Sequence, residues 1–137
     1  MARRTRSVRF EVLEIGKLHG HERIRPGLLE ELTRQIRRDG YLRRPILVAD
    51  RDFVILDGHH RFEAIRALGA QRIPAYVVDY LSDVVQLSTW PDAVVSVVTK
   101  EDVIRRGRTG DLFPPKTSRH TLTIQLEDRP TDLDELR

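Results

Sequence analysis

Residues 53–69, Phe53-Val54-Ile55-Leu56-Asp57-Gly58-His59-His60-Arg61-Phe62-Glu63-Ala64-Ile65-Arg66-Ala67-Leu68-Gly69, decide how the chain is read. Phe53 to Leu56 is an apolar, partly β-branched run with the length of a buried strand, whereas Phe62, Ile65 and Leu68 recur at the i, i+3, i+6 spacing of one helical face. Gly69 supplies a helix stop. Asp57 to Arg61 therefore falls where a strand hands over to a helix. There the first N–H groups of the helix have no partners, and the positive end of its dipole faces outward. Such a corner favours an anion, most commonly a phosphate.

Read alone, Asp57-Gly58 is ordinary turn punctuation, with Asp57 near a cap and Arg61 on a solvated face. The density of chemically capable side chains argues for more. His59, His60 and Arg61 offer donors to phosphate oxygens, and Asp57 offers one oxygen ligand to a hard cation such as Mg²⁺.

Upstream, residues 1–9 form a basic start carrying Arg3, Arg4, Arg6 and Arg9. Val8, Phe10 and Val12 alternate as a first strand, with Phe10 and Val12 expected to face the core. A polar loop follows from Lys17 to Ile24, the kind of segment that carries function more often than a helix does. Pro26 suits the first position of a helix whose buried face is Leu28, Leu29, Leu32 and Ile36 and which ends at Asp39-Gly40. Glu22, in the loop before it, reads on its own as a surface carboxylate paired with a nearby arginine.

Ile46–Ala49 and Phe53–Leu56 are expected to form a hairpin around the polar turn Asp50-Arg51-Asp52. Beyond the central helix, Ile73–Tyr80 and Asp83–Trp90 read as strands, and Ala93–Val98 is apolar enough for another. Thr99-Lys100-Glu101-Asp102 is the capped start of a short helix reaching about Arg106. Trp90, on its own merits, is a core or edge aromatic with its indole N–H satisfied. Phe113 to His120 is a proline-stiffened loop before a last strand, Thr121–Leu126. Its five consecutive polar residues, Lys116, Thr117, Ser118, Arg119 and His120, can bond or neutralise phosphate oxygens, and the prolines limit the entropy lost in ordering them. No Gly-rich segment precedes Lys116, so this is not a P-loop. In the acidic ending, residues 127–137, Leu133 and Leu136 either dock on the domain or leave the segment mobile.

Length and composition bound the function. A chain of 137 residues suits one domain with a single core. With 39% hydrophobic and 33% charged residues it is of globular rather than disordered or membrane-spanning type. The longest apolar run is far shorter than the roughly 20 residues of a membrane-spanning helix, and no signal-peptide core follows the basic start, so a cytoplasmic location is expected. The absence of cysteine excludes disulfides, thiol catalysis and cysteine-ligated zinc. Net charge is +3, and among 24 basic residues only Lys17, Lys100 and Lys116 are lysines.

The Asp57-Gly58-His59-His60-Arg61 corner with its following helix resembles the phosphate-binding corner of the ParB/sulfiredoxin superfamily. Sulfiredoxin chemistry needs a cysteine in this turn, and the chain has none. ParB partition proteins usually carry a Gly-Glu-Arg-Arg-like version, whereas the Asp-Gly-His-His-Arg version is similar to that of the free L-serine kinases. Three further segments match that branch in the same order: His21-Glu22, Thr89-Trp90, and Pro115-Lys116-Thr117-Ser118-Arg119-His120. The resemblance implies an α/β (α+β) fold, a single ParB/sulfiredoxin-like domain over residues 10–126 with a small mixed sheet and a phosphate site at a strand-to-helix turn. It implies a phosphotransferase that moves a phosphoryl group from ADP or ATP to free L-serine, giving O-phospho-L-serine. Glu22 and Asp57 are its expected catalytic residues, Asp57 holding Mg²⁺. Gly58, His59, His60, Arg61, Lys116, Thr117, Ser118, Arg119 and His120 are expected at the nucleotide phosphates, and Thr89 and Trp90 beside the serine.

Longer members of that branch carry many more residues between the tryptophan and the Pro-Lys-Thr loop, where this chain has only Pro91 to Pro114. Part of the substrate lobe is therefore expected to be minimal or supplied by a partner. The rival reading is a ParB-like module that binds CTP and DNA. No helix-turn-helix is legible after Gly69, which makes nucleic acid the less expected partner.

Overall fold

A computed structural model of the chain describes residues 8–91, 93 and 97–137. In chain order the elements are strand β1 (Val8–Glu14), a 3₁₀ turn (Ile15–Lys17), helix α1 (Pro26–Asp39), β2 (Tyr41–Leu42), β3 (Ile46–Ala49) and β4 (Ile55–Asp57). They continue with α2 (His59–Ala67), β5 (Arg72–Val78), β6 (Val85–Thr89), α3 (Lys100–Thr109), β7 (Ser118–Leu122), β8 (Thr131–Asp132) and α4 (Leu133–Leu136). The segment Ala93–Val98, read as apolar enough for a strand, lies largely outside the described residues.

Four strands form the central sheet in the order β1-β5-β3-β4, with β5 antiparallel to β1 and parallel to β3, and β4 antiparallel to β3. Every residue of β3 is buried, because both faces of the sheet are covered. Ile46 and Val48 point to one layer, where Phe62, Ile65 and Ile36 from the helices pack with Leu133 and Leu136. Leu47 and Ala49 point to the other, with Val54, Leu56, Val103 and Phe113. β4 lies beside β3 at the edge of the sheet with Ile55 and Leu56 buried, which fixes where its last residue, Asp57, emerges.

Two core expectations are corrected. Val12 is 46% exposed, and Leu13 is the buried residue of β1. β1 is an edge strand, and only its Leu13 side meets the helix layer. Leu28 of α1 is 42% exposed, so the packed face of that helix narrows to Leu29, Leu32 and Ile36. The hairpin also starts later than expected. Arg51 and Phe53 have positive φ angles of 73° and 52°, so Phe53 belongs to the turn and β4 runs on to Asp57. The final strand is displaced the other way, since Ser118 to His120 lie within β7 rather than in a loop. Their pairing with β6, Thr89 to Ser118 and Leu87 to His120, provides the ladder that holds them extended.

α1 begins at Pro26 and stops at Gly40, whose φ of 78° is left-handed, as the sequence led one to expect. α3 starts on a capping box between Thr99 and Asp102 and extends to Thr109. The Lys100 ammonium at its start donates to the carbonyls of Tyr80, Ser82 and Val85 at 2.6, 3.1 and 2.6 Å. These bonds tie α3 to the segment entering β6. The acidic ending docks: β8 pairs with β2, and Leu136 is 0% exposed in the main core. No helix among the described residues is long and apolar enough to cross a membrane.

Candidate active site

Gly58 makes the turn from β4 into α2 with φ at 103°. A Cβ there would lie 2.6 Å from Cγ2 of Ile46 and 3.1 Å from the Arg61 guanidinium, so both the backbone conformation and the space require glycine. The start of α2 is thereby pressed against β3, with the first N–H groups of the helix at the rim of a cavity of about 500 Å³. Glu22, Asp57, Gly58, His59, His60, Arg61, Trp90, Lys116, Ser118, Arg119 and His120 all line that cavity, together with Leu32 and Leu56. Residues from four separate segments, up to 98 positions apart in sequence, thus meet in one place.

The two histidines after Gly58 act on the first loop. His59 Nε2 accepts the His21 backbone N–H at 3.2 Å, and His60 Nε2 accepts the Arg25 N–H at 2.8 Å. Each acceptor role places the ring hydrogen on Nδ1 and leaves the ring uncharged. Burial pushes His59 well below its ordinary value, with the neighbouring histidines acting in the same direction. His60 is lowered too, by burial first and then by Lys116 and Arg25.

Arg61 is largely committed to structure. Its guanidinium donates to the carbonyls of Arg44 and Pro45 at 3.3 and 2.8 Å and to Asp57 at 3.3 Å. Burial lowers it somewhat, and Asp57 opposes that. The Asp57 side chain is 66% exposed and loosely held by this one partner. Among the described residues no cluster of three or more histidine, aspartate or glutamate side chains could hold a metal ion. This donor set fits Mg²⁺ in the way phosphoryl-transfer sites use it, through one carboxylate with waters and phosphates completing the shell.

Glu22 is anchored in a short bridge to Phe113, with Arg23 N–H donating to the Phe113 carbonyl at 2.8 Å and Phe113 N–H to that of His21 at 2.8 Å. Its carboxylate is held by the segment that follows. Oε2 accepts from the Lys116 N–H at 3.2 Å, while Oε1 accepts from the N–H groups of Thr117 and Ser118 at 3.1 and 2.9 Å. Lys116 turns the chain there with a left-handed φ of 59°. Ser118 Oγ lies 3.0 Å from Glu22 Oε1 and 2.8 Å from His21 Nε2. Glu22 is thus oriented by main-chain donors, not by the arginine pairing that its sequence position suggested.

Trp90 forms a wall of the cavity. Its indole N–H donates to the Ser118 carbonyl at 3.0 Å, and its ring carries the Arg119 guanidinium at 4.8 Å and the Lys116 ammonium at 5.3 Å. Two cations are so presented at the cavity beside the α2 N-terminus. His120 Nε2 pairs with the Tyr80 hydroxyl at 2.7 Å, and burial draws His120 down to about 3. Its Nδ1 is buried without a hydrogen-bond partner.

Two expected site residues stand apart. The Thr117 hydroxyl donates to the Pro114 carbonyl at 2.7 Å, and the residue is 0% exposed, so its side chain closes the local turn. Thr89 lies in β6 opposite Ser118 and does not line the cavity. In the other direction, the sequence singled out His21 only as the neighbour of Glu22 in a matching pair. It is 0% exposed and bonded to Ile55 and Ser118, and only its place next to Glu22 could have drawn attention to it.

A second cavity of about 440 Å³ shares Asp57, Arg61 and His120 with the first. It is more apolar in character, bordered by Ile46, Leu47, Tyr76, Leu122, Ile124 and Leu126. The shared residues mark the point where the two cavities meet.

Residues 2–89 match the model of the ParB N-terminal domain. Among curated proteins, the chain is 34% identical over 102 residues to the ATP-dependent L-serine kinase of Staphylothermus marinus, covering 70% of this chain and 40% of that protein. It is 33% identical over 90 residues to the ADP-dependent L-serine kinase SerK of Thermococcus kodakarensis, covering 63% of this chain and 37% of that protein. The chain thus spans about 40% of the length of such relatives. Among solved structures, a free serine kinase in complex with AMP superposes with a TM-score of 0.86 over 93% of both chains at 20% identity. That likeness bears out the mixed α/β fold.

Proposed function

The chain belongs to the ParB N-terminal domain family, and from that premise we propose that it is a free L-serine kinase, transferring a phosphoryl group from ADP or ATP to the serine hydroxyl to give O-phospho-L-serine. The observation that carries this reading is the convergence of Glu22, Asp57 to Arg61, Trp90, Lys116 and Ser118 to His120 on one cavity. L-serine kinases among the relatives of the chain supply the reaction.

In this reading the donor phosphates sit over the N–H groups of Gly58 and His59, where the helix dipole favours negative charge. Lys116 and Arg119, steered by Trp90, neutralise the charge that builds on the transferring group, the main source of catalysis in phosphoryl transfer. Asp57 would hold Mg²⁺, which when bound neutralises and orients donor phosphate oxygens. The apolar second cavity suits the nucleoside, so that donor and acceptor approach from opposite sides of Asp57 and Arg61. Glu22 is the general base. The serine O–H bond breaks as the new O–P bond forms, and the proton passes to the carboxylate from a distance near 3 Å. The donor's terminal P–O bond breaks, with AMP leaving from ADP or ADP leaving from ATP.

The test is phosphoserine formation by the purified protein with free L-serine and Mg²⁺, comparing ADP, ATP and CTP, with L-threonine as the acceptor control. Product with ADP or ATP supports the kinase and names its donor. Binding or hydrolysis of CTP with no phosphoserine from any donor would replace it with a ParB-like nucleotide switch.

A further inference from the structure

Behind the candidate active site the fold leaves another cavity, of about 410 Å³, between one face of α2, the loop from β1 to α1 and the chain that leaves α3. Gly107 helps to close it. A Cβ there would lie 2.6 Å from Val54 Cγ2, so glycine is what lets the last turn of α3 come this close to Val54. Ile15, Leu18, Ile24, Phe62 and Leu112 give the cavity an apolar lining. One side is formed by His59, Phe62, Glu63 and Arg66, at the i, i+3, i+4, i+7 spacing of one face of α2. That face brings one carboxylate and one guanidinium to the same apolar cavity. Glu63 and Arg66 pair with each other, their side chains 28% and 57% exposed, and the Arg66 guanidinium lies 5.6 Å from the centre of the Phe62 ring.

A cavity of this size, apolar with a few convergent polar groups, has the make-up of a small-molecule site. The charges decide which molecule fits. A ligand with a single charge would satisfy one member of the pair and leave the other without its partner, whereas a zwitterion meets both. Opening the pair costs little, because an exposed ion pair on a helix contributes little. We propose that this cavity binds a free amino acid with an apolar side chain, its α-carboxylate on Arg66, its α-ammonium on Glu63 and its side chain among Ile15, Leu18 and Leu112. L-serine carries the same two charges but has nothing to place against the apolar lining, so the ligand is not the acceptor of the proposed reaction. The site adjoins the first cavity, since His59 and Glu22 line both. A Cβ on Gly20 would lie 3.2 Å from His59 Cδ2, so the loop runs close against the ring that accepts the His21 N–H. An occupant that displaces this loop or ring moves Glu22 with it, which makes the cavity an effector site for the first one. Neither the binding nor this coupling depends on serine being phosphorylated.

Titration of the full chain with L-leucine, followed by ¹H–¹⁵N spectra, should give saturable shifts at the main-chain amides of Gly16, Gly20, Gly110 and Leu112, all of which border the cavity. L-Leucinamide, 4-methylpentanoate and L-serine lack the carboxylate, the ammonium and the apolar group in turn. The first two should bind about tenfold more weakly, the loss of roughly one charge-assisted contact, and serine should give no saturable shifts at these amides. Glu63→Gln and Arg66→Met should each weaken leucine about tenfold. Neither residue lines the first cavity, and the spectra themselves report that the fold is kept. No saturable binding at millimolar leucine, an analogue that binds as tightly as leucine, an unchanged affinity in the two variants, or shifts centred on Trp90 and Asp57 overturns the site. Leucine should also move the amides of His21 and Glu22, and amides that stay in place overturn the coupling. Both readouts need no turnover, so a protein that forms no phosphoserine loses the kinase reading and leaves the amino-acid site to be decided by the titration.

Discussion

His59 Nε2 accepts the backbone N–H of His21 at 3.2 Å, which ties the strand-to-helix corner to the loop carrying Glu22. The bond requires an uncharged His59, and the same requirement extends to the interior around it. Burial holds His21 at about 4 and His120 at about 3, and keeps His59 well below its ordinary value. In the unfolded chain these rings titrate near 6.5, so below that pH the unfolded state binds protons that the folded state refuses. Stability is therefore lost on acidification, at about 1.4 kcal/mol per pH unit for each ring. The loss continues down to about pH 4 for His21 and about pH 3 for His120. Urea midpoints should fall between neutral pH and about pH 5, and His120→Gln should flatten that fall.

Gly58→Ala should cost about 2–4 kcal/mol, combining a left-handed alanine with overpacking against Ile46. Nucleotide binding should be lost with it, since the α2 N-terminus must shift. Thermal unfolding and ADP titration calorimetry on the same sample check both effects.

Glu22→Gln should reduce phosphoserine formation by about 10²-fold or more, as expected for loss of a general base. It should also cost about 1–3 kcal/mol, because one side of the amide presents N–H to the N–H groups of residues 116–118. Donor affinity should change little. A variant with wild-type turnover would remove Glu22 from the mechanism.

Trp90 is the only tryptophan, and two of the cavity cations, Lys116 and Arg119, rest on its ring. Its fluorescence should therefore change on titration with ADP or pyrophosphate. Lys116→Met should weaken ADP about tenfold, the loss of roughly one charge-assisted contact, and reduce the dependence of binding on salt.

Leu136→Ala should destabilise by about 2–5 kcal/mol, the cost of a large-to-small change at a fully buried site. Chemical denaturation measures it. A cost near zero would mean that the acidic ending is not part of the core.

What was legible in the sequence was local. The β4–α2 corner, the Pro26 start and Gly40 stop of α1 and the Thr99 cap each depend on a few neighbouring residues whose conformational preferences agree. What was hidden depended on distant partners. Ser118 to His120 look like a loop after two prolines until β6 is placed beside them. Val12 looks buried by alternation, but an edge strand has only as much core as its neighbours cover. The gathering of the cavity residues could be expected from a resemblance, whereas the turning away of Thr117 and the bonds from Glu22 to main-chain N–H groups needed coordinates.

The Lys100 clasp bears on a bias that composition alone left unexplained. Three carbonyl oxygens surround a single nitrogen, much as an ionophore wraps a small cation. A guanidinium is flat and spreads its donors across a fork, so it cannot converge on three such oxygens. In a chain where arginine has taken nearly every basic position, the exchange of lysine for arginine, one step apart in the genetic code, is closed at this site by geometry.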